Sequence, residues 1–133
     1  METNEAPCLV LLLDDDEDDY QLAKDMFHEA FGDRVKLDWF QRDHLSTMMI
    51  CSGIYTLTMV DFRLGSEDGL EIIRKAKAEC PDQVIFVVTA YNHPDLVAHG
   101  KQARVDGFLN KNDLSVMVLR SLFGDLLCPN TAI

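Results

Sequence analysis

Tyr55-Thr-Leu-Thr-Met-Val-Asp61-Phe-Arg-Leu-Gly65 is the stretch that decides how this chain folds. Residues 55 to 60 are β-branched, aromatic or apolar and read as a strand. A carboxylate, Asp61, stands where the apolar run stops. Gly65, Ser66 and Gly69 then loosen the chain before a helical pattern begins at Leu70. An acid at the carboxyl end of a strand lies at the mouth of the sheet, where open α/β folds place their chemistry. It could equally cap a turn, and the flanking segments separate the two readings.

On the amino-terminal side, Cys8 to Leu13 is an unbroken apolar run, the mark of a strand buried on both faces. Six acids follow without a spacer, Asp14 to Asp19. A helix is predicted from Tyr20, with Leu22, Ala23, Met26, Phe27, Ala30 and Phe31 on one face, ended by Gly32 and Asp33. Val35, Leu37 and Trp39 alternate with Lys36, Asp38 and Phe40, as expected of a half-buried strand at a sheet edge, where Trp39 would cover it. A weaker helix is read over His44 to Ser52, with Leu45, Met48, Met49 and Ile50 as its apolar side. On the carboxyl-terminal side the pattern gives a helix from about Gly69 to Cys80, stopped by Pro81, with Leu70, Ile72, Ile73 and Ala76 inward. A buried strand at Val84 to Val88 runs into Thr89-Ala90-Tyr91. A helix over about 94 to 104, opened by Asn92 or His93 and carried by Leu96, Val97, Ala98 and Ala103, leads to a short strand, Gly107 to Asn110, ending at Lys111. A last helix spans Leu114 to Leu127. Strands and helices alternate, so the fold is α/β, with a parallel sheet wrapped on both faces.

The 133 residues suit one domain, and 47% apolar residues exclude a disordered chain. A net charge of -11 argues against direct nucleic acid binding and suits cations or a basic or apolar protein surface. No apolar run approaches the roughly 18 residues of a membrane span and no signal-peptide pattern is read, so no membrane insertion and a cytoplasmic location are expected. Cys8, Cys51, Cys80 and Cys128 form no Cys-x-x-Cys pair and read as free thiols.

In such a sheet the strand ends share one edge. The polar groups there are Asp14, Asp15 and Asp16 after the first strand, Asp61 after the third, Thr89 after the fourth and Lys111 after the fifth. Each has a plain reading: a solvated acidic face at a helix start, a β-branched strand residue, a surface lysine. Together they describe a site. Crowded carboxylates repel, and Mg²⁺ binds one or two of them with waters and phosphate oxygens. A carboxylate beside such a metal can attack phosphorus, with a hydroxyl and an ammonium to hold the phosphoryl oxygens. His28, His44, His93 and His99 sit at no strand end and read as surface residues.

Four segments resemble the receiver domains of two-component response regulators: Leu11-Leu-Leu-Asp14-Asp15-Asp16-Glu17-Asp18-Asp19, Val60-Asp61-Phe-Arg-Leu-Gly-Ser-Glu-Asp-Gly69-Leu-Glu, Val87-Val-Thr89-Ala90 and Gly107-Phe108-Leu-Asn-Lys111. The resemblance covers residues 8 to 127, leaving 1 to 7 and 128 to 133 as tails. It implies a five-stranded, doubly wound, flavodoxin-like sheet of order 2-1-3-4-5. It implies a signalling switch and not an enzyme, one that assists only its own phosphorylation and dephosphorylation. Asp61 would accept a phosphoryl group from a histidine kinase or phosphotransfer protein. Mg²⁺ or Mn²⁺ would be held by Asp15, by Asp14 mainly through water, by Asp61 and by the Arg63 carbonyl. Thr89 and Lys111 would contact the phosphoryl group, and Phe108 takes the aromatic switch position. Arg63 and Tyr91 stand where receivers tune dephosphorylation; both are bulky, so a long-lived phosphoryl group is expected.

Two departures bear on switching. Gly65 replaces a common proline, loosening that loop, and Asn112 replaces the proline that usually follows the lysine through a cis bond. A cis non-proline bond costs about 3–4 kcal/mol, so this loop is either strained or differently routed. On the last helix, Leu119, Leu122 and Leu126 are assigned to the core. Val116, Phe123 and Leu127, with Arg120 between them, form a second stripe expected to meet a partner or a second copy of the chain, unless Cys128 to Ile133 fold over it. Phe108 lacks a hydroxyl, which favours its inward rotamer. Two other functions compete. A haloacid-dehalogenase-type phosphatase would use Asp14 of an Asp-x-Asp as nucleophile, but Asp18 stands where Thr or Val is expected. A receiver-like module that is never phosphorylated would use neither acid.

Overall fold

The computed structural model describes residues 6–41, 45–62, 68–90 and 94–128. Five parallel strands form one sheet in the order β2-β1-β3-β4-β5: β1 is Cys8–Leu13, β2 Val35–Phe40, β3 Tyr55–Asp61, β4 Ile85–Thr89 and β5 Gly107–Asn110. Four helices connect them, α1 Glu17–Phe31, α2 Ser46–Ile50, α3 Asp68–Glu79 and α4 Pro94–Gln102, and a fifth, α5 Val116–Leu127, follows β5. The expected doubly wound topology is the one formed, with β2 at the edge as its alternating pattern implied.

The unbroken apolar run of β1 has a simple use. Val10 and Leu12 point to one side of the sheet, into a core shared with Ala23, Phe27 and Ala30 of α1 and Leu119, Phe123 and Leu127 of α5. Leu11 and Leu13 point to the other, against Ile50 of α2, Leu70, Ile73 and Ala76 of α3 and Leu96 of α4. The period of two in a strand sends successive side chains to opposite faces, so only a strand covered on both faces needs every residue apolar.

The two assignments on α5 are corrected. Phe123 and Leu127 are buried, whereas Leu122 is 49% exposed; Val116 and Leu126 are half-buried. The inward stripe is Leu119, Phe123, Leu127, in steps of four, fixed by the edge-to-face contact of Phe123 with Phe86 of β4 at 4.9 Å. Phe123 and Leu127 therefore form no partner surface. Arg120 bonds instead to α1, its Nε and Nη2 donating to the carbonyls of Ala30 (3.2 Å) and Glu29 (3.1 Å) in that helix's last turn. Leu22 of α1 and Leu45 and Met48 beside or in α2 are likewise exposed rather than inward, and α2 is shorter than its pattern suggested.

The cysteines are a second correction. Cys51, after α2, and Cys80, after α3, are joined by a disulfide with Cα atoms 5.7 Å apart; Cys8 and Cys128 take no part in a disulfide among the described residues. α2 and α3 lie side by side on one face of the sheet, which brings their carboxyl ends together across 29 residues of sequence. At this same end of the sheet the buried Lys77 ammonium donates to the Gln83 carbonyl (2.6 Å) and Asp106 (2.8 Å). The same Asp106 carboxylate accepts from the Ile85 N–H at 2.7 Å, so the buried Lys77 charge is both paired and hydrogen-bonded.

Candidate functional site

The parallel register sets the site. Leu13 lies beside Val60, Asp61 beside Val88 and Thr89 beside Asn110. Asp14, Asp61, Thr89 and Lys111 therefore follow one another along the carboxyl edge of β1, β3, β4 and β5. Asp14, Asp61 and Thr89 are buried.

Asp14 is held from two sides. Its Oδ1 accepts from the Asp16 N–H at 2.9 Å and its carbonyl from the Trp39 indole N–H at 2.6 Å. Trp39 in turn stacks on Tyr20 of α1, ring centroids 4.9 Å apart. The tryptophan at the sheet edge thus ties β2 and α1 to the acid. The Asp16 carboxylate caps α1, accepting from the Asp18 N–H at 2.8 Å.

Lys111 reaches back over the mouth. Its ammonium lies 2.6 Å from Asp61 Oδ1 and 3.4 Å from Asp14 Oδ2, and it donates to Asp19 in the first turn of α1. Burial pushes the Lys111 pKa down, but hydrogen bonds to Asp19 and Asp61 and the charges of Asp61 and Asp14 outweigh it, so the net shift is upward. Burial lifts the Asp14 carboxyl from 3.8 to about 6, with Asp61 adding to the rise and the Asp16 N–H and Lys111 opposing it. The loop after β5 resolves the choice set by Asn112. Every described peptide bond is trans, and Lys111–Asp113 forms a single 3₁₀ turn capped by Asn110, whose Oδ1 accepts from the Asn112 N–H at 2.8 Å.

Asp19 was not among the residues expected at the site. One carboxylate oxygen from each of Asp14, Asp19 and Asp61 lies within 4.8 Å of the others, a set of hard oxygen donors that suits a divalent cation. Asp15 is exposed at the rim. The signal for Asp19 was present in the phase of α1: it precedes the buried Ala23 by four and the half-buried Met26 by seven residues, so it shares their inward face. Phe108 is half-buried, its ring against α4 at Gly100, where a Cβ would lie 2.3 Å from Cζ. Arg63 and Tyr91, together with Gly65, Asn92, His44 and His93, lie outside the described residues. Among the described residues no helix is long and apolar enough to cross a membrane.

A parallel α/β sheet of this order, with acids at the ends of β1 and β3 and a lysine after β5, defines the flavodoxin-like receiver class. The family model described as "Response regulator receiver domain" matches residues 10–120, and the chain belongs to that family. A cyclic di-GMP phosphodiesterase of Thermotoga maritima is 31% identical over 105 residues. The match covers 77% of this chain but only 26% of that relative, so the chain spans about a quarter of its length. Among solved structures, the phosphorylated cyanobacterial phytochrome response regulator RcpA superposes with a TM-score of 0.74 at 16% identity, over 95% of this chain and 98% of that one. The Mn²⁺-bound response regulator Rcp1 gives 0.68 at 19% identity, over 88% and 94%. At these identities both show a shared fold.

Proposed function

We propose that this protein is a phosphorylation-controlled signalling switch in which Asp61 accepts a phosphoryl group from a phosphohistidine of a histidine kinase or phosphotransfer protein. The observation that carries the reading is the buried Asp61 carboxylate, 2.6 Å from the Lys111 ammonium and beside the buried Asp14. An Asp61 oxygen attacks phosphorus, the P–N bond of the donor breaks, and the imidazole leaves with its electron pair and takes a proton. Lys111 and the Thr89 hydroxyl then hold phosphoryl oxygens. Asp14, Asp15, Asp61 and the Arg63 carbonyl would hold Mg²⁺ or Mn²⁺, which offsets charge on the two anionic reactants. Residues 8–127 form the functional unit, its chemistry limited to its own phosphorylation and dephosphorylation. The surface read by partners is α4, β5 and α5, with Thr89 and Phe108 relaying the change. Arg63 and Tyr91 leave no side chain to orient an attacking water, so the phosphoryl group is long-lived. Any further enzymatic output lies beyond this unit.

Labelling with acetyl phosphate, followed by peptide mapping, tests the assignment. Label should appear on Asp61 only when Mg²⁺ is present, vanish in Asp61→Asn and drop severely in Asp15→Asn. Label on Asp14 would support the phosphatase reading, and no label on either acid the unphosphorylated module.

A further inference from the structure

We propose that Asp19 is a positioning residue that holds the Lys111 ammonium toward α1, in competition with a phosphoryl group on Asp61, and so sets how firmly that group is retained. The inference rests on the reading of Asp61 as acceptor. One ammonium faces three carboxylates: it donates to Asp19 and lies 2.6 Å from Asp61 and 3.4 Å from Asp14. A phosphoryl group on Asp61 has to share this one ammonium with whichever carboxylates stay charged and close to it. Phosphorylation converts the Asp61 carboxylate into a mixed anhydride, moving the charge that faced Lys111 onto the phosphoryl oxygens. Asp14 is the distant partner. Asp19 alone keeps both its charge and its close contact, and it remains as the competitor.

Nor is Asp19 a loose surface acid. It stands at the third position of α1, on a turn fixed by the Asp16 cap and by the stacking of the next residue, Tyr20, on Trp39. Its side chain is 28% exposed and that of Lys111 20%. An exposed ion pair contributes little because solvent screens it; this one is largely shielded and hydrogen-bonded.

The test compares Asp19→Asn with Asp18→Asn, which removes an equal charge from the exposed neighbouring position. Two quantities are measured on the whole chain: beryllofluoride affinity at saturating Mg²⁺, from Trp39 fluorescence, and exchange of the Lys111 ammonium protons with water in the metal-free protein, by ¹⁵N-lysine NMR. Asp19→Asn should tighten beryllofluoride binding by at least about threefold and speed the ammonium exchange, with Asp18→Asn changing neither. An Asp19→Asn variant that binds equally or more weakly, or that leaves the exchange unchanged, overturns the proposal. So does an equal gain in Asp18→Asn, because the effect would then belong to the general field of the acidic run. Asp61→Asn should bind no beryllofluoride in any background; if it does, the acceptor reading fails instead.

Discussion

Asp14 holds its proton to about pH 6 in the fold, against 3.8 for an ordinary aspartate, chiefly through burial. Folding without metal therefore takes up a proton between these values. The stability from this group is complete below about pH 4 and is lost as pH rises through about 6. Asp14→Asn, neutral throughout, should match the unmodified protein near pH 4 and exceed it near pH 7, by on the order of 3 kcal/mol. Urea melts of the metal-free proteins across that range would show it, and parallel curves would refute it. Millimolar Mg²⁺ should raise the melting temperature at pH 7, since a ligand of the native carboxylates stabilises that state alone. That Asp14 and Asp61 meet at the carboxyl edge of the sheet was legible because each stands where an apolar strand stops. For Asp19 the only signal was its helical phase with Ala23 and Met26, which stands out little within a run of six acids.

The last helix shows how far periodicity reaches at the scale of an element. Its apolar residues are dense enough to draw two stripes, and sequence alone does not say which one the sheet covers. The structure puts Phe123 in the core against Phe86 and leaves Leu122 outside. Phe123→Ala should cost about 3–5 kcal/mol, and Phe123→Glu should unfold the domain rather than alter its association. Leu122→Ala should stay within about 0.5 kcal/mol. Denaturant melts decide between them; a stable Phe123→Glu variant with changed sedimentation would return that residue to the surface.

For the molecule as a whole, the edge that carries the acids and Lys111 and the stapled edge lie at opposite ends of the sheet. The Cys51–Cys80 disulfide joins segments that precede β3 and β4, while the acids and Lys111 follow β1, β3 and β5. Closing a loop across 29 residues restricts the unfolded chain and stabilises by about 3–4 kcal/mol in the chain-entropy account. Reduction, or Cys51→Ser with Cys80→Ser, should lower the melting temperature while Asp61 labelling and beryllofluoride affinity persist. A loss of labelling at temperatures where the reduced protein remains folded would show that the two ends are coupled.

The amino-acid sequence by itself determined the α/β alternation, the five parallel strands and the acids, hydroxyl and lysine at their ends. These rest on local signals: unbroken apolar runs for strands covered on both faces, helical spacing between them, and polar residues where each run stops. What only the tertiary structure decided depends on approach between distant segments. The Cys51–Cys80 pairing needed α2 and α3 side by side, the inward stripe of α5 needed Phe86, and the hold on Asp14 needed Trp39 from the neighbouring strand. The Asp19 contact needed Lys111, 92 residues away in sequence, to be carried back over the mouth of the sheet by β5. Such contacts follow from which strands lie adjacent and in what register, and no window of local sequence contains both partners.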